Sequence, residues 1–72
     1  MNRIRLLESL ERTEKSVTDG NRRIEQQRDI ISRYGHEGFD ATFAIQLLVN
    51  LLEMQAMRVA SMDRVRAKLG TA

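Results

Sequence analysis

The residues able to do chemistry in this 72-residue chain are few and scattered. His36 is the only histidine, set between two glycines in Gly35-His36-Glu37-Gly38, and no cysteine is present. An imidazole there could ligate a metal or move a proton. Zinc requires three or four protein ligands, however, and neither a thiolate nor a second imidazole can join it within the chain. Ser9, Ser16, Ser32 and Ser61 stand at helical positions without the His–Asp pair that activates a serine nucleophile. The carboxylates have arginine or lysine close by in the sequence, as helix-surface ion pairs would. No glycine is followed by the Lys-Ser/Thr pair of a phosphate loop. These patterns argue against an enzyme, a metal and a cofactor.

Binding of nucleic acid or membrane is the next possibility. Twelve Lys+Arg stand against ten Asp+Glu, for a formal charge of +2. The candidate basic patches are Arg22, Arg23, Arg28 and Arg33, and farther on Arg64, Arg66 and Lys68. Glu25 and Asp29 interrupt the first and Asp63 borders the second, whereas phosphate binding favours clustered cations free of interleaved acids. The stretch from Phe43 to Ala60 approaches the minimum length that spans a bilayer. It carries Gln46, Asn50, Glu53, Gln55 and Arg58, which makes spanning costly. Met1-Asn2-Arg3-Ile4-Arg5 lacks the unbroken apolar core of a secretory signal, so a cytoplasmic setting is expected.

What remains is the geometry of the elements themselves. From Ile4 to Tyr34, Leu6, Leu10, Val17, Ile24 and Ile31 recur in steps of four or seven. Thr13, Gly20 and Gln27 complete a 4-3-4-3 rhythm, the seam of a coiled coil. The absence of proline permits long helices. Thr18-Asp19-Gly20-Asn21 resembles a turn, and a glycine inside a helix costs about 1 kcal/mol against alanine. Either the helix breaks there, or it continues and Gly20 allows close backbone approach. The rhythm stays in phase from Val17 to Ile24, which favours continuity.

The segment Gly35-His36-Glu37-Gly38-Phe39-Asp40 is the expected hinge. Gly35 suits the left-handed residue that closes a helix, and Asp40 suits the N-cap of the next. Phe39 and Phe43 could staple that entry turn. The expected organisation is therefore a single all-α hairpin over residues 1–72, with helices at 3–34 and 41–69 running antiparallel. Positions whose numbers sum to about 75 should then lie opposite each other. That register places Ile31 near Ala44, Ile24 near Leu51, Val17 near Val59, Leu10 near Val65 and Leu6 near Leu69; the expected hairpin core is Leu6, Leu10, Val17, Ile24, Ile31, Ala44, Leu47, Leu51 and Val65.

The second helix is more apolar than one partner needs. Gln46, Asn50 and Glu53 share one face, and nearly every other position from Phe43 to Met57 is apolar. A helix packed on one neighbour requires a stripe near 100° wide. The excess implies self-association: Ile45, Leu48, Leu52, Met54, Gln55, Val59 and Met62 are the expected dimer interface. Two hairpins would close into a four-helix bundle about a two-fold axis. A single core below roughly 70–80 residues rarely supplies more than about 3–5 kcal/mol. Without disulfides or metal, partner chains are the remaining aid.

The segments Gly20-Asn21-Arg22-Arg23-Ile24-Glu25-Gln26-Gln27-Arg28, Gly35-His36-Glu37-Gly38-Phe39-Asp40, Leu51-Leu52-Glu53 and Asp63-Arg64 through Leu69 resemble a group of short helical-hairpin proteins of alphaproteobacteria. The resemblance covers about two thirds of the chain. It implies that Gly20 lies within a helix and that the setting is the bacterial cytosol. No activity is assigned to that group, so no functional residue carries over. The expectation is a homodimeric, non-enzymatic interaction protein with a possible protein client. Its rival is a small regulator whose hairpin binds a signalling or transcription protein through the apolar face of the second helix.

Overall fold

The computed structural model describes residues 2–71 and consists of two helices, α1 (Arg3–Glu37) and α2 (Thr42–Thr71), packed against each other. Met1 and Ala72, the outermost residues of the expected hairpin, lie outside the described residues. The rod measures 54 × 14 × 13 Å.

At its start, α1 is capped by Asn2, whose Oδ1 accepts from the Ile4 N–H at 2.8 Å. It then runs through Gly20 without a break. Leu6, Leu10, Thr13, Val17, Gly20, Ile24, Gln27 and Ile31 are all buried or half-buried, so the 4-3 stripe is the face turned to α2. The facing stripe keeps the same rhythm: Ala44, Leu48, Leu51, Gln55, Arg58, Met62, Val65 and Leu69 are its buried or half-buried positions. The antiparallel register sum of 75 is met at Gly20 and Gln55, which lie in direct contact.

Two expectations about the hinge are corrected. α1 extends to Glu37, three residues beyond the expected end, and Gly35 lies inside the helix. Gly38, at φ 77°, is the left-handed closing residue. Its N–H donates to the Gly35 carbonyl at 3.4 Å, and the Phe39 N–H donates to the Tyr34 carbonyl at 2.9 Å. That pair of bonds is a Schellman closure, which also brings together the apolar residues flanking it. Tyr34 and Phe39 meet edge to face, with centroids 6.0 Å apart and planes at 86°. Phe39 is thus engaged backward onto α1, and the expected staple with Phe43 does not form its own cluster: Phe43 is 86% exposed.

The start of α2 is held by Asp40. Its Oδ1 accepts from the Thr42 hydroxyl at 2.6 Å and from the Thr42 N–H at 2.9 Å. The hydroxyl bond first, and the backbone bond second, hold this carboxyl below its ordinary value of 3.8. Both stabilise the ionised form beside the positive end of the helix.

Candidate interaction surface

The seam between the helices is unusually polar. Gln27 of α1 donates from Nε2 to the Ala44 carbonyl of α2 at 2.9 Å. In the opposite sense, Gln55 of α2 donates to the Val17 carbonyl of α1 at 2.7 Å and to Asn21 Oδ1 at 2.9 Å. Both glutamines are 7% exposed, and no buried side-chain nitrogen or oxygen among the described residues lacks a partner. The Gln55 amide lies across the backbone of α1 at Gly20. A Cβ built there would strike Gln55 Oε1 and come within 2.8 Å of its Cδ. The Gly20 backbone therefore serves as the floor on which a buried amide rests. An apolar pair would hold the helices at many offsets, whereas these directional bonds favour one.

Three of the residues expected at a dimer interface lie in the hairpin seam instead: Gln55 and Met62 are buried, and Leu48 half-buried, on the side of α2 that meets α1. Val59, also half-buried, stands at the border between that seam and the flank beside Asn21, Glu25 and Arg28. Leu47, expected in the hairpin core, is instead exposed. One residue is 100° of helix, enough to exchange Leu47 for Leu48 between seam and flank. Ile45, Leu52 and Met54, the other expected interface residues, remain outside the hairpin and exposed. Of the expected core, Leu6, Ile24 and Ala44 are buried and Leu10, Val17, Ile31, Leu51 and Val65 half-buried.

Large apolar side chains flank the α2 seam on both sides. One flank carries Ile45, Val49, Leu52, Ala56 and Val59, beside Asn21, Glu25 and Arg28 of α1. The other carries Phe43, Leu47, Met54 and Met57, the last 69% exposed. Near the hinge this second flank shares a groove with Ile30 and Tyr34 of α1. Farther along it, Arg12, Lys15, Arg23 and Arg58 surround a notch of about 240 Å³ above Gly20, with Asp19 as its one acidic lining residue. Arg58 reaches over the notch and donates to Gln55 Oε1 at 3.4 Å.

His36 is an exposed residue in the last turn of α1, and no group of three or more metal-ligating side chains occurs among the described residues. Arg22, Arg23, Arg28 and Arg33 are exposed on α1, with Glu25 and Asp29 exposed among them. By length and composition alone, Thr42–Gly70 would suffice to cross a membrane. That helix also carries Glu53 and Arg58 and lays Gln55 on α1. No protein-family model, no curated protein and no solved structure matches the chain.

Proposed function

We propose that the chain is a non-enzymatic helical interaction module, cytoplasmic and bacterial in setting, that self-associates through the outward apolar flanks of α2 into a four-helix bundle. The observation that carries this reading is the placement of apolar mass. Among the described residues the buried apolar side chains number four, Leu6, Ile24, Ala44 and Met62, while seven large ones of α2 between Phe43 and Met57 are exposed. Fully burying a side chain of this class contributes about 1.5–3 kcal/mol relative to leaving it wet. The chain exposes 5572 Å², whereas a globular monomer of 8.3 kDa would expose about 4,600 Å². The difference is on the order of the roughly 800 Å² that each partner buries in a standard interface.

The test is sedimentation equilibrium of the full chain across micromolar concentrations, with helicity followed in parallel. A helical dimer or higher closed oligomer that persists on dilution is the expected result. A chain that is monomeric throughout overturns the reading. If that monomer also floats with lipid vesicles, the apolar face of α2 belongs to a membrane surface instead.

A further inference from the structure

The geometry points to one flank of α2 as the contact between copies, with the two α2 helices antiparallel and a two-fold axis passing near Leu52; we propose this arrangement, and it rests on the self-association proposed above. Ile45, Val49, Leu52, Ala56 and Val59 form a second 4-3-4-3 stripe, immediately beside the one spent on α1. Such spacing can pack against another helix as a seam does. The stripe is also near-palindromic about Leu52. Reversing a second copy places Ile45 over the partner's Val59, Val49 beside the partner's Ala56, and Leu52 over its own mate. A two-fold contact demands this self-complementarity, in which residue i meets j and j meets i.

The opposite flank lacks these properties. Its stripe of Phe43, Leu47, Met54 and Met57 is interrupted by Asn50, which is exposed and shares a hydrogen bond with Gln46. Charge separates the two more sharply. On that side Arg12, Lys15, Arg23 and Arg58 line the notch, with Asp19 as its one acidic lining residue. A two-fold axis near Arg58 would set one cationic cluster against its own copy, where like charges repel, and one near Asn50 would put that polar side chain at the centre of the contact. Beside Leu52, α1 presents one charge of each sign, Glu25 and Arg28. A second copy of this chain can approach that flank without net repulsion.

Because the chain has no cysteine, single introduced thiols report the contact cleanly. Residues 45 and 59 are about 21 Å apart along the helix at 1.5 Å per residue. A disulfide needs Cα atoms within about 7 Å. Ile45→Cys and Val59→Cys chains are therefore purified separately, then mixed, equilibrated and oxidised mildly. Leu52→Cys and Met54→Cys chains are oxidised alone. The expected result is a mixed disulfide between residues 45 and 59, a Leu52→Cys homodimer, and no more than background from Met54→Cys. Predominant 45–45 and 59–59 products would show parallel helices and overturn the arrangement. So would efficient linkage through Met54→Cys in a chain that is dimeric by sedimentation, while leaving self-association intact. A monomeric parent chain in the sedimentation experiment would remove self-association itself. Leu52→Glu is the second check, read by sedimentation: it should weaken the dimer at least tenfold, whereas Met57→Glu should change it less than threefold.

Discussion

The contact between Gly20 and Gln55 makes a sign-reversing experiment possible. Replacing a mid-helix glycine by alanine ordinarily stabilises a helix by about 1 kcal/mol. Here the new methyl would occupy the space of the Gln55 amide, which must swing away from the Val17 carbonyl and Asn21. The side chain is flexible and can reach solvent, so the loss is mainly that of two hydrogen bonds. At a net 0.5–1.5 kcal/mol each, they are worth about 2 kcal/mol together. Gly20→Ala alone should therefore destabilise by about 1 kcal/mol, or lower Tm by roughly 4–8 °C in a chain of this size. In a Gln55→Ala background the amide is already gone, and the same substitution should stabilise by about 1 kcal/mol. The coupling is then about 2 kcal/mol in the double-mutant cycle. Thermal and urea unfolding by far-ultraviolet circular dichroism, at one fixed chain concentration, would measure all four proteins. If Gly20→Ala stabilises equally in both backgrounds, Gly20 is not the floor of the glutamine site.

The hinge offers a second pair of opposite effects. Gly38→Ala should destabilise by about 1–2 kcal/mol, because a Cβ is disfavoured in left-handed backbone such as Gly38 adopts at φ 77°. Gly35→Ala should stabilise by up to about 1 kcal/mol, since the position is helical and open, with nothing within 4 Å of the added methyl. Equal loss at both positions, read by the same unfolding experiment, would contradict the assignment of the closing residue. Asp40 predicts an acid effect: its folded carboxyl is held below 3.8 by the Thr42 hydroxyl and N–H. Its contribution is present above the unfolded value and is lost as pH falls through the folded one, so stability should decline from about pH 4 downward. Asp40→Asn should flatten that limb relative to the parent; an unchanged acid limb would remove Asp40 as a source.

The two helices differ in how much of their packing can be read from residue order. In α1 the apolar residues form one narrow stripe, and the charged residues around it leave a single possible inward face. The seam from Leu6 to Ile31 follows directly, including its polar members Thr13, Gly20 and Gln27. In α2 the stripe beginning at Ala44 is bordered by equally apolar stripes that include Ile45 and Leu47. Periodicity alone does not choose among three neighbouring faces with similar hydropathy. The choice is made by size and polarity across the seam. Gly20 leaves a hollow, and the register sum of 75 puts Gln55 opposite it, which would have drawn Gln55 into the hairpin and Leu48, Met62 and Leu51 with it. The choice between Gly35 and Gly38 was legible as well. A Schellman closure at Gly38 pairs Tyr34 with Phe39, both aromatic, while one at Gly35 would pair Ile31 with His36.

The seam and the flanks of α2 thus divide two tasks that one hydrophobic core usually performs together. Within the hairpin, the deepest positions include Gln27, Gln55 and Gly20, and these contribute little apolar burial. Buried amides gain only a small net free energy from their bonds, but they penalise every offset that leaves them unpaired. The hairpin seam accordingly specifies how α2 lies on α1 more strongly than it stabilises the pair. Seven large apolar residues between Phe43 and Met57, which could supply stability, face outward instead. Under the proposed self-association, folding and assembly become one event, because the apolar area that offsets chain entropy is buried only when copies meet. Substitutions at Gln55 or Gly20 should then act mainly on the register of the hairpin, while substitutions at Leu52 act on whether a folded hairpin persists on dilution.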